Sequence, residues 1–274
     1  MAQAQQTIEP IAENVPLSLE KTPRPDILSL VSPDRPIRLG DAVITRDTRL
    51  GRQIRRFIEH FDQQAFASGL RLELSTDFEM LAAINPHLDK LPLTPQFDPA
   101  VSEIGPVNGF WLKGVDARGE IVHTQAVRFD DLSHTTLALH LKSLRAFYAE
   151  PAVSAHPDES CDVSAPAACA ITGRICYHGE VWIKKESGLR GHDLAHSTPR
   201  LALAIALARW LPDFVYGTVQ PGIAEKGVVT RYGYRNMEPG GIHWIIPRTG
   251  ERLDEWLVWM AWRDLIEMIE RAGV

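Results

Sequence analysis

A chain of 274 residues with 45% hydrophobic and 23% charged residues has the composition of an ordinary globular protein, which excludes disorder as the default. A formal net charge of -6 argues against a duplex nucleic-acid partner, which calls for a basic surface to displace phosphate counterions. Three cysteines without a CxxC pair (Cys161, Cys169 and Cys176) signal neither a zinc ribbon nor a disulfide framework.

The start of the chain lacks the basic and apolar regions of a signal peptide. The longest apolar runs, such as LALAIALA from Leu201, fall well short of the roughly 20 residues that span a bilayer. A cytoplasmic protein without a membrane partner is the expectation. Residues 1–45 are polar and punctuated by Pro16, Pro23, Pro25, Pro33 and Pro36, and they read as an arm ahead of a single domain over 46–274.

From Asp47, the spacing of Ile54, Phe57, Ile58, Phe61 and Ala65 predicts a helix closed by Gly69. Leu70, Leu72 and Leu74 then alternate with polar residues, the period of a half-buried strand. Thr76 and Glu79 have capping-box spacing and predict a helix ending near Asn85 and Pro86. FWLKGV and EIVHTQAVRF flank the turn residues 116–119 and predict an antiparallel hairpin. Ser133 is a candidate cap for a helix with Leu137, Leu141, Leu144 and Tyr148 on one face.

Residues 149–170 are rich in Ala, Pro, Ser and Asp and read as a mobile loop or a lid. The remainder predicts a strand through 180–183, a helix over 197–210, strands over 214–219 and 242–246, a short helix near 226–232, and a Trp-rich strand over 256–262. Hairpins followed by a strand-helix-strand crossover imply an α/β fold, a mixed sheet with helices on both faces.

The stretch EVWIKKESGLRGHDLA runs from an apolar strand through an Arg-Gly turn into a helix, where unpaired amides and the helix dipole favour an anion. Arg190, Gly191, His192, Asp193, Leu194 and Ala195 follow a Q/R-x-x-G-x-G/A turn, and GVVTRYGY from Gly227 ends in Gly233 and Tyr234. On these residues the chain resembles the GNAT superfamily of N-acetyltransferases. The resemblance implies an acyl-CoA co-substrate such as acetyl-CoA, with the turn near its pyrophosphate, Lys185 near its thioester, and an amine of a small molecule or aminoacyl group as acceptor. It also implies Glu180 as the candidate base, and Tyr232, the phenol nearest the place of the family's acid, is the candidate acid. A solvated strand-end glutamate and a core tyrosine are the plainer readings of those two residues.

Asp193 stands in place of the first motif glycine and Val229 in the place of a family tyrosine. A non-catalytic ligand- or partner-binding protein of the same fold is therefore the alternative. A zinc hydrolase using His192 and His196 is a third reading, because HDLAH has the spacing of a zinc motif. His178 and His243 are further candidate bases, with structural histidines as the plainer reading. Trp256, Trp259 and Trp262 read as packing, and the apolar carboxyl end is a candidate homodimer surface.

Overall fold

The protein is described by a computed structural model that covers residues 28–30, 37–39, 43–45, 47–187 and 193–273. Its frame is a nine-stranded sheet in the order β2 (Ile37–Arg38), β4 (Arg71–Ser75), β5 (Gly109–Val115), β6 (Ile121–Leu132), β8 (Gly173–Ile183), β9 (Phe214–Val219), β11 (Glu251–Ala261), β10 (Asn236–Ile246) and β7 (Ser160–Val163). β1 (Leu28–Leu30) and β3 (Val43–Thr45) form a separate antiparallel pair. Within the large sheet every described pairing is antiparallel except β8 with β9.

Helices cover both faces. On one face α1 (Arg49–Ala67), α6 (Asp193–Trp210) and α9 (Trp262–Arg271) share a core that includes Phe57, Leu203 and Leu265. On the other, α2 (Phe78–Ile84), α3 (Leu137–Lys142) and α5 (Pro166–Ala170) pack with Trp111, Tyr177 and Leu257. The short helices α4 (Pro151–Ser154), α7 (Pro221–Ala224) and α8 (Val228–Arg231) lie at loops. α6 is the crossover between the two parallel strands. One parallel step in an otherwise antiparallel sheet, with helices on both faces, is the GNAT-like α/β architecture that the resemblance implies.

Local chemistry explains most element ends. Thr48 Oγ1 accepts from Gly51 N at 3.0 Å to start α1, and Gly69 closes it in the left-handed region at φ 80°. In the β5–β6 turn Asp116 Oδ1 accepts from Arg118 N and Glu120 N, and Gly119 takes a φ of 83°.

Several ends differ from the sequence expectation. Asp77, not Thr76, caps α2 by accepting from Met80 N at 2.9 Å, because its carboxylate gains from the helix dipole. Thr136 caps α3, while Ser133 is engaged with Asp131. α6 begins at Asp193 rather than near 197: Ser197 Oγ donates back to Leu194 O at 3.3 Å, and Pro199 is carried inside the helix. The Trp-rich strand stops at Ala261, and Trp262 opens α9.

Two segments gain structure that the sequence does not announce. The end of the arm supplies β1, β2 and β3; residues 1–27 lie outside the described residues. Residues 149–170 hold α4, β7 and α5, with Cys161 in register with Trp244 of β10. Glu159 is the anchor: its buried carboxylate accepts from Tyr148 Oη and Trp244 Nε1, both at 2.9 Å. A four-residue strand is too short to show a period, so composition alone misreads it.

Leu201 through Ala208 of α6 are all fully buried, so this helix is enclosed on every side. Among the described residues no helix is long and apolar enough to cross a membrane. Leu203→Ala is expected to cost about 2–5 kcal/mol of unfolding free energy, read by urea denaturation, because no solvent-facing direction exists into which the site can relax.

Candidate active site

β8 and β9 pair only at Ile175–Phe214, Cys176–Val215 and Tyr177–Tyr216, although both strands continue to Ile183 and Val219. Beyond Tyr177 they diverge, and a cavity of about 440 Å³ opens between them, lined by Gly179 to Trp182 on one side and Gly217 to Gln220 on the other. Its walls belong to both cores. Tyr177 and Trp244 come from one face of the sheet, and Val229, Tyr234 and Val258 from the other. The cavity therefore passes through the sheet.

Just past the point of divergence β8 carries a bulge. Thr124 is in register with Trp182 but Ala126 with Gly179, so Glu180 and Val181 together oppose the single residue Gln125. Glu180 takes a φ of 56°, a left-handed backbone that costs a non-glycine residue on the order of 1 kcal/mol. Its side chain repays the strain through two contacts. Lys90 Nζ donates to Glu180 Oε2, and Thr94 N donates to Oε1 at 2.9 Å. Trp182 Nε1 donates to Asp89 O at 2.8 Å, and Phe97 stacks between Phe78 and Tyr177. Residues 89–97 are thus strapped across β8 and form a wall of the cavity.

A buried polar chain occupies the crotch where the strands part. Gln125 Nε2 donates to Thr198 O at 2.7 Å, which leaves Gln125 Oε1 as an acceptor. His178 therefore carries its proton on Nε2, donates it to Gln125 at 3.0 Å, and accepts at Nδ1 from the Tyr234 hydroxyl at 3.0 Å. Burial pushes His178 down to about 3, so the ring stays neutral. His123, which donates from Nδ1 to Trp182 O at 2.8 Å, is pushed down to about 4, again mainly by burial. Burial also pushes the Tyr234 phenol well above its ordinary range.

The structure redistributes the candidate residues. Glu180 reaches the cavity wall, but both carboxylate oxygens already hold a proton donor, so its geometry is that of a clamp and not of an available base. Tyr232, at the end of α8, lines the cavity. Lys185, expected beside a thioester, is exposed in a short 3-10 helix past the strand end and does not line the cavity. Arg190, Gly191 and His192 lie outside the described residues. Asp193 opens α6, and Leu194 and Ala195 follow, both buried. The zinc reading rests in part on His192, and among the described residues no cluster of three His, Cys, Asp or Glu side chains is placed to hold a metal. His243 is half-buried and bonds Asp254 at 2.7 Å, away from the cavity.

Lys90, Gln125 and Glu255 are residues that sequence reasoning missed. Glu255 had a legible signal. Leu253, Glu255, Leu257 and Trp259 alternate along β11, and the first, third and fourth pack into one core, so the glutamate sits on the apolar side of its strand.

Neither a protein-family model nor a curated protein matches the chain. Among solved structures, it is similar to Arabidopsis thaliana NAA60 in complex with a bisubstrate analogue, at 12% identity and TM-score 0.41 over 69% of this chain and 98% of that one. A variant of the spermidine N-acetyltransferase SpeG from Vibrio cholerae is similar at 10% identity and TM-score 0.40, over 73% and 97%. Mycobacterium smegmatis RimJ in complex with CoA-disulfide is similar at 13% identity and TM-score 0.38, over 74% and 90%. At such values nothing about ligand or acceptor passes from those proteins to this chain.

The Lys90 and Glu180 side chains are only 7% and 3% exposed. Lys90→Met and Glu180→Gln are each expected to cost about 3–5 kcal/mol, and the double variant less than the sum, in a double-mutant cycle of urea unfolding. The two depressed histidines set a pH dependence. Each binds its proton only in the unfolded chain, so stability is complete above about pH 6.5 and falls as the pH drops towards 4, by about 1.4 kcal/mol per unit per histidine. His178→Gln, which keeps a donor and an acceptor, is expected to remove roughly half of that contribution to the slope between pH 6.5 and 5.

Proposed function

We propose that the chain is an acyl-CoA-dependent N-acyltransferase whose thioester lies where β8 and β9 diverge. The observation that carries this reading is the ladder that stops at Tyr177 and Tyr216 while both strands run on. It leaves residues 178–182, paired with β6 on one side, without a described strand partner on the side facing β9 and the cavity through the sheet. An extended ligand bearing amides completes such an edge as an added strand, and the pantetheine arm of coenzyme A has that chemistry. Ile223, Val228 and Val229 supply an apolar wall for its aliphatic parts. The start of α6 and the turn before it are the proposed seat of the diphosphate, as the resemblance implies.

The through-sheet cavity allows the two substrates to meet from opposite faces. Coenzyme A would occupy the α6 side and the acceptor amine the side of the 89–97 strap. The amine nitrogen attacks the thioester carbonyl, the carbon-sulfur bond breaks, and the electron pair leaves with sulfur, which takes up a proton as the nitrogen gives one up. No cysteine lines the cavity, and burial pushes the Cys161 thiol up to about 12, so direct attack is favoured over a covalent relay. Of the two phenols near α8, Tyr234 commits its proton to His178, and Tyr232 is the one we assign to the departing thiolate.

A non-catalytic binder is the second reading, favoured by Val229, which lines the cavity in place of a phenol. Acetyl-CoA is expected to raise the unfolding free energy by about 2.7 kcal/mol at 100 times its dissociation constant, seen as a concentration-dependent Tm. Absence of stabilisation at millimolar acetyl-CoA would overturn the acyltransferase proposal. Stabilisation without release of free thiol to any of a panel of amines would favour the binder.

A further inference from the structure

On the side of the cavity away from α6, the lining is built from Tyr177, Trp244 and Leu253, with one carboxylate among them, Glu255. The other carboxylate in the lining, Glu180, is neutralised by Lys90, the cavity's one lysine. Glu255 has no ion-pair partner among the described residues. Burial holds its carboxyl above the ordinary range, the neighbouring Thr218 hydroxyl opposes that rise, and no positive group contributes. It also bears electrostatically on Tyr177.

A carboxylate set among aromatic and aliphatic walls without a counter-charge is costly to the folded protein unless something cationic completes it. A ligand that brings the missing charge gains what the protein leaves open, and an uncharged analogue of the same shape does not. The apolar walls beside Glu255 suit a short hydrocarbon stem.

We propose that Glu255 seats the acceptor as its ammonium and takes up the proton that must leave before the neutral nitrogen attacks, so that the acceptor is a primary alkylamine with a short apolar stem that binds as its cation, and not an uncharged or acidic compound. This rests on the acyltransferase reading for its meaning, since it names the acceptor of that reaction, but the seat itself is testable without acetyl-CoA.

The test compares binding of n-pentylammonium and pentan-1-ol to the full chain by calorimetry or ligand-observed NMR, in wild type and in Glu255→Gln and Glu255→Asp. Wild type is expected to prefer the ammonium by at least about tenfold, a single-charge discrimination worth about 1.4 kcal/mol. Glu255→Gln is expected to abolish the preference and Glu255→Asp to retain part of it, with acetyl-CoA binding unchanged in both. Equal affinity for ammonium and alcohol in wild type, which needs no variant to fold, overturns the proposal, as does a preference that survives in Glu255→Gln. Acetyl-CoA binding without ammonium preference sinks the Glu255 seat and leaves the acyltransferase reading. Ammonium preference without acetyl-CoA binding does the reverse.

Discussion

Two parallel strands that begin paired and then separate leave backbone donors and acceptors exposed at the centre of a sheet, and the molecule is arranged around that deficit. A ladder is broken only where something else holds the strands apart. Here a bulge at Glu180 turns one strand away, and the neutral His178 wedge, bonded to Tyr234 and Gln125, fills the crotch with satisfied polar groups. Gly217 completes the fit, because a side chain there would press on His178 O and the Tyr234 hydroxyl at 3.1 and 3.3 Å. The opening is thus a built feature.

The same wedge ties the opening to the crossover helix. Gln125 spends its amide on Thr198 O, beside Pro199, so a side chain from the middle of the sheet meets the helix next to a residue that has no N–H to give. The start of α6, the crotch and the bulge are therefore one connected unit. A ligand bridging the helix start and the strand edge would engage all three at once.

Much of the frame was legible because it rests on periods long enough to see. The face of α1, the Leu70, Leu72 and Leu74 alternation and the β5–β6 hairpin follow from spacing and turn residues alone. Helix starts were less legible: Thr76 and Ser133 are good caps in isolation, yet a neighbouring residue with a better-placed side chain takes each position. The site was legible only in outline. Which strands border it could be read from the crossover, but the bulge that re-aims Glu180 into a clamp depends on Lys90 and Thr94, distant in sequence and brought near only by the fold. Glu255 was missed because β11 was read as starting at 256, five residues after its actual start at Glu251, which hid its place on the apolar face.

Glu159 gives the segment of low sequence complexity an unexpected influence. It fixes Trp244 by a bond to the indole nitrogen, and Trp244 is a wall of the cavity. Residues on either side of that carboxylate are joined to the rest by a short edge strand and by helices of a turn or so, so they can lengthen, shorten or change composition at small cost. Displacing β7 along β10 would nonetheless move an indole ring against whatever occupies the opening. The outermost strand of the sheet thereby acts as an adjustable jaw, through which the dimensions of the cavity can be retuned while the divergent strands at its base stay unchanged.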